Sequence, residues 1–156
     1  MGSCIHDIFA VYRHGADDEN RARACSVIEG YGLAAELGGK VDAILQSAAW
    51  LYEQLQANFP QQEGDRTYKE YPFEMRMKSG QHLRGEMDLL WRYSDATGNH
   101  CVLVDYKTFP GVDINEHTKK YYAQMSAYVE ALRSAGNDVT HALIYYPVLG
   151  RLMQLL

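Results

Sequence analysis

Apolar positions in the first sixty residues recur at helical spacing, and those that follow alternate. Ile5, Ile8, Phe9 and Tyr12 fall on one stripe of a short helix that Ser3 is placed to cap. The polar run His14-Gly15-Ala16-Asp17-Asp18-Glu19-Asn20 reads as a loop. Arg21 to Leu37 reads as helix, broken near Gly30 or Gly32 and stopped by Gly38-Gly39. Val41, Ile44, Leu45, Ala48, Tyr52, Leu55 and Phe59 then mark a longer helix closed by Pro60.

After a loop at Gln61–Arg66 the period becomes two. Tyr71, Phe73, Met75 and Met77 share one face of a strand within Tyr68–Lys78, and Ser79-Gly80 signals a hairpin turn. His82–Tyr93 is a second strand with Gly85 inside it, where a glycine marks a bulge or a close backbone approach that could make room beside Asp88. A turn at Asp95–Gly98 leads to a third strand, Cys101–Lys107, dense in Val and Leu. Phe109–Thr118, with Pro110-Gly111, reads as a loop, and Tyr121–Ala135 as a helix closed by Gly136. Val139–Tyr146 is a fourth strand, and a short tail strand lies near Leu152–Leu156. Helices, three strands, a helix and a strand make an α/β chain with a mixed sheet. At 156 residues the expectation is one domain, with a helical part over 1–60 and an αβ core over 66–156.

Two acids and one amine stand out. The second and third strands are joined by a hairpin-length turn, so they are antiparallel neighbours, and Asp88 on one can meet Asp105 on the other. Asp105 and Lys107 are two apart and share a face. Alone, Asp-x-Lys reads as a solvated strand face. Here Val102, Leu103 and Val104 make the strand look central, where unpaired charge is costly. Carboxylate oxygens suit Mg²⁺, which takes one or two protein carboxylates and a substrate phosphate. A nearby lysine can orient water or stabilise charge developing on phosphorus. Gln124 and Tyr128, with Tyr121, fall on one stripe of the later helix and can face this site. Tyr122, Met125, Val129 and Leu132 form the packing stripe beside it. Glu70, opening the first strand, and Glu86, two before Asp88, are second-tier acids that read more readily as exposed strand residues. Arg76, Lys78, Arg84, Lys119 and Lys120 are available to a phosphate backbone or to solvent alike.

Gly85-Glu86-Met87-Asp88, Asp105-Tyr106-Lys107-Thr108 and Gln124-Met125-Ser126-Ala127-Tyr128 resemble, in order and spacing, the G-x-x-D, D-Y-K-T and Q-x-x-x-Y elements of RecB-like PD-(D/E)xK nucleases. Gly2-Ser3-Cys4-Ile5-His6 resembles the G-x-x-x-H element that precedes that core. The likeness is nearest to the C-terminal nuclease domain of AddA-type helicase–nuclease subunits. The resemblance implies a restriction-endonuclease-like αβββαβ core with an N-terminal helical extension. It also implies Mg²⁺ or Mn²⁺ dependence and DNA cleavage in double-strand break repair and recombination. By motif match His6, Asp88, Asp105 and the Tyr106 carbonyl are the implied metal ligands. Asp88, Asp105 and Lys107 are the implied catalytic set. His6 by itself reads as a surface or core histidine beside an apolar stripe, and it is the resemblance that makes it a ligand.

Composition narrows the function. Lys and Arg number 15 against 20 Asp and Glu, a net charge of −5, so strong stand-alone DNA binding is not expected and neighbouring helicase domains would deliver the substrate. Three scattered cysteines, Cys4, Cys25 and Cys101, cannot supply a four-thiolate iron–sulfur cluster. No phosphate-cradling G-x-x-x-x-G-K-[ST] loop is present, so no nucleotide is expected on this chain. No apolar run suits a membrane span or a signal peptide, and the expected location is cytoplasmic. Because the chain opens almost on the G-x-x-x-H element, it reads as a nuclease domain excised from a longer helicase–nuclease. The competing reading is a non-catalytic DNA-binding or scaffolding module of the same fold.

Overall fold

The computed structural model describes residues 1–109 and 111–156. Pro110, which the sequence places in the loop after the third strand, lies outside the described residues. Four helices come first: α1 (Gly2–Val11), α2 (Asp17–Gly30), α3 (Ala34–Leu37) and α4 (Val41–Asn58). The strands β1 (Thr67–Arg76), β2 (His82–Asp95) and β3 (Gly98–Tyr106) follow as an antiparallel meander. Two further helices, α5 (Ile114–Lys119) and α6 (Tyr122–Ser134), cross over to β4 (Val139–Tyr146), which runs parallel to β3. β5 (Arg151–Gln154) closes a five-stranded mixed sheet in the order β1-β2-β3-β4-β5. This is the α/β, restriction-endonuclease-like arrangement with its N-terminal helical extension. No helix of the described residues is long and apolar enough to cross a membrane.

The sheet is covered on both faces, which explains why β3 reads as a continuous apolar run. Cys101 to Tyr106 are all buried. On one face Leu89, Trp91, Val102, Val104, Tyr106, Leu143 and Tyr145 pack under α1, α2 and α4. The helices contribute Ile5, Ile8 and Phe9, then Ala24 and Ile28, then Ile44, Ala48, Leu51 and Leu55. On the other face Met87, Leu90, Leu103, Ile144 and Tyr146 pack under Met125, Val129 and Leu132 of α6. Ser47 of α4 accepts from the Tyr145 hydroxyl through its carbonyl at 2.9 Å, tying that helix to β4.

Several local expectations are corrected. Ser3 caps nothing: α1 begins at Gly2 and Met1 is its N-cap without a side-chain bond. Asp17–Asn20 are not loop but the first turn of α2, where three acidic side chains favour the positive end of the helix dipole. Phe109–Thr118 is not all loop. Asp113 caps α5, its side chain accepting from Glu116 N at 3.1 Å. That D-x-x-E pattern was a readable capping signal. Tyr122 is 52% exposed and does not pack, whereas Tyr128, assigned to the polar stripe, is buried. Met77 lies beyond β1 and is exposed.

Gly85 also differs from expectation, because the room it leaves is occupied by protein. A Cβ there would sit 2.7 Å from Phe73 Cε1 and 3.7 Å from the Tyr128 hydroxyl. The Phe73 ring lies edge-on to Tyr128 at 4.8 Å, so the missing side chain lets β1 dock under α6. Ala is otherwise the better residue in a strand interior, by about 0.5–1 kcal/mol. We expect Gly85→Ala to destabilise the fold by about 1–3 kcal/mol in urea denaturation through this overlap. The same change in a Phe73→Ala background should cost much less; equal costs in both backgrounds would remove the explanation.

Candidate functional site

Strand register brings three carboxylates into one row. β1 and β2 pair Lys69 with Leu89 and Tyr71 with Met87, so Glu70 falls opposite Asp88. One step beyond the Leu89–Val104 pair, Asp88 falls opposite Asp105. The Glu70–Asp88 position is left out of the ladder, and Glu70 has φ 47°, a left-handed conformation uncommon outside glycine. The sheet changes phase here: Met87 packs on the α6 face, Leu89 on the α1 face. Strict alternation therefore fails at Asp88. Glu86 stays exposed and does not line the cleft described below, as an ordinary exposed strand acid does.

Asp88 is 8% exposed and uses both oxygens. Oδ2 accepts from the Tyr106 backbone N–H at 2.6 Å, and Oδ1 lies 2.6 Å from His6 Nε2. The bond to Asp88 raises the His6 pKa against the opposing effect of burial. His6 reaches this point because α1 lies over the end of β3. Phe9 and His6 both meet the Tyr106 ring edge-on, at 5.0 and 5.7 Å. Gly2 permits the approach, since a Cβ there would be 2.5 Å from Thr108 Oγ1.

Asp105 is 3% exposed, and its Oδ2 lies 2.8 Å from Lys107 Nζ. That contact is an ion pair without hydrogen-bond geometry, so Oδ2 has no hydrogen-bond partner. Burial, reinforced by the charge of Asp88, pushes Asp105 up to about 6 against the pull of Lys107. Burial, the largest single influence, lowers the Lys107 pKa, but Asp105 together with Asp88 and Tyr121 more than offsets it and the net shift is upward. The Lys107 ammonium sits over the Tyr121 ring, 4.5 Å from its centroid. Gln124, exposed on α6, donates to the Tyr128 hydroxyl at 2.9 Å. Burial and the nearby Asp105 charge raise the Tyr128 pKa.

A cleft of about 650 Å³ opens on the α1 side, lined among others by His6, Asp7, Glu70, Lys107, Thr108 and Tyr121. His6, Asp7 and Glu70 each offer a ligand atom within 4.8 Å of the other two. Asp7 carried no sequence signal: adjacent helical residues do not share a face, and its Oδ2 accepts from the Tyr31 hydroxyl at 2.6 Å across a bend in the chain. Asp88 and Asp105 lie deeper and do not line the cleft.

The donor set is carboxylate oxygen with one imidazole nitrogen, which suits a hard or borderline divalent cation. Asp105, whose ionisation is opposed by burial and by the Asp88 charge and whose buried Oδ2 meets only the Lys107 ammonium among the described residues, fits a cation better than it fits the bare protein. Of the basic residues singled out, Arg84 pairs with Glu74 at 3.1 Å and Lys119 with Glu116 at 2.5 Å, away from this row.

Asp105 gives a pH prediction. Its folded pKa of about 6 exceeds the ordinary 3.8, so its contribution to stability is fully present below pH 4 and is lost as pH rises through 6. In metal-free buffer Asp105→Asn should therefore gain on the parent protein, by on the order of 3 kcal/mol, between pH 4 and 7. Urea denaturation at four pH values measures this; a difference that does not change with pH would refute it.

No curated protein matches the chain closely enough to count as a relative. The sequence pattern of the PD-(D/E)XK nuclease superfamily matches residues 1–152, nearly the whole chain. With a five-stranded mixed sheet, acids in one cross-strand row and a lysine two residues beyond the last of them, the chain belongs to the PD-(D/E)XK nuclease superfamily, whose members are metal-dependent nucleases.

Proposed function

We propose that this protein is a Mg²⁺- or Mn²⁺-dependent deoxyribonuclease, the exonuclease module of an AddA-type helicase–nuclease acting in double-strand break repair and recombination. The reading is supported by two pairs, His6 with Asp88 and Lys107 with Asp105, on neighbouring strands near the carboxyl end of β3. Ligands of open α/β sheets bind outside the carboxyl ends of their strands.

His6, Asp88, Asp105 and the Tyr106 carbonyl would hold the cation, and Glu70 with Asp7 lies close enough to add a ligand. The cation would supply Lewis acidity towards the scissile phosphate and lower the pKa of bound water. Lys107, held by Asp105 and the Tyr121 ring, is the group that steadies charge developing on phosphorus. Asp88 fixes the His6 ring and the β3 backbone, so the ligands are held before substrate arrives. Gln124, bonded to Tyr128 and exposed on α6, would contact the substrate together with Tyr121. The net charge of −5 favours a role in which helicase domains bring DNA to the site.

The test is degradation of linear duplex and single-stranded DNA with Mg²⁺, with Mn²⁺ and with EDTA. Asp88→Asn, Asp105→Asn and Lys107→Met should each lower kcat by roughly 100-fold or more while circular dichroism stays native. A folded parent protein that binds DNA yet cuts with neither metal, alone or joined to helicase domains, would instead mark a scaffolding module.

A further inference from the structure

We propose that the cleft between the end of α1, α2 and the start of β1 binds a backbone phosphate of the strand being cut, a few nucleotides from the scissile one; this rests on the nuclease reading above. The cleft measures about 750 Å³, and its lining includes Arg13, His14, Arg23, Lys69, Tyr12 and Tyr52 but no carboxylate. In a chain of net charge −5, such a local group of cations is where a polyanion is drawn.

The cations have donors to spare. Among the described residues the Arg13 side chain makes no hydrogen bond or ion pair, its backbone alone meeting Asn20. Arg23 gives Nη2 to Glu19 at 2.6 Å, while its Nη1 is buried without a partner. An unmet buried donor is a cost that an incoming acceptor removes. Lys69 donates to the Tyr12 carbonyl and lies 5.6 Å from the Tyr52 ring centroid. One ammonium carries three donors, so others remain. The exposed His14 ring is stacked on Tyr52 at 5.6 Å with planes 9° apart, which leaves a flat outer face for a base.

The cleft adjoins the carboxylate row through two elements. Lys69 precedes Glu70 on β1, and Tyr12 follows His6 by six residues at the end of α1. Six helical residues rise about 9 Å, under three base steps of a B-form DNA strand at about 3.4 Å each. One strand can therefore touch both places without bending sharply.

The probe is a labelled single-stranded DNA of about 12 nucleotides, with Ca²⁺ in place of Mg²⁺ for binding and Mg²⁺ for cleavage. Arg13→Gln and Lys69→Met should each weaken binding roughly three- to ten-fold and flatten the plot of log affinity against log salt by about 0.7. The loss in cleavage should fall on KM more than on kcat. Arg133→Gln removes the same charge from α6, which covers the other face of the sheet, and should leave binding unchanged. Should Lys69→Met fail to fold for want of its bond to Tyr12, Arg13→Gln decides the matter, since among the described residues that side chain has no partner to lose. Arg13→Gln behaving like Arg133→Gln in a protein that cuts DNA overturns the phosphate site and spares the nuclease reading. The predicted binding losses in a protein that cuts nothing do the reverse. A protein that neither binds nor cuts overturns both.

Discussion

The site depends on one buried carboxylate, that of Asp88. It joins α1 to β3 by accepting from the Tyr106 backbone with one oxygen and meeting His6 with the other. It can do so because the ladder lapses at its row, where Glu70 turns into a left-handed conformation and the strand changes the face it buries. A regular strand would point Asp88 to one side and leave its backbone in the ladder. The irregular one frees the side chain to act as a joint between layers. Buried groups of this kind are tolerated only when both lone-pair directions are answered, as they are here.

The second constraint is electrostatic. Asp88 and Asp105 lie in one cross-strand row, and burial keeps water from screening them. Lys107 answers only part of that charge, which is why Asp105 still holds its proton more tightly than an ordinary aspartate. The fold accepts this because the surrounding core is extensive on both faces of the sheet. Functional sites are commonly placed where local stability is given up for chemistry. The neighbouring cationic cleft shows the opposite sign, so the molecule presents an acidic centre flanked by a basic approach. An acidic chain can in this way attract a polyanion locally while its total charge repels it.

What the sequence by itself determined is the order and type of the main elements and the chemistry of the central strands. Period-two alternation marks β1, a dense apolar run marks β3, and helical spacing marks α4, because each element must bury a face of fixed periodicity. Asp88, Asp105 and Lys107 were legible for the same reason, as charges where burial was otherwise expected. Only the tertiary structure decided what those residues touch. The pairing of His6 with Asp88 spans 82 positions. Asp7 enters beside Glu70 through the packing of α1 on the sheet. Gly85 makes room for the Phe73 ring, and the strand changes phase between Asp88 and Leu89. Periodicity is a property of one element read locally, whereas these outcomes depend on register lapses and on how separate layers dock, and no spacing along a single chain records either.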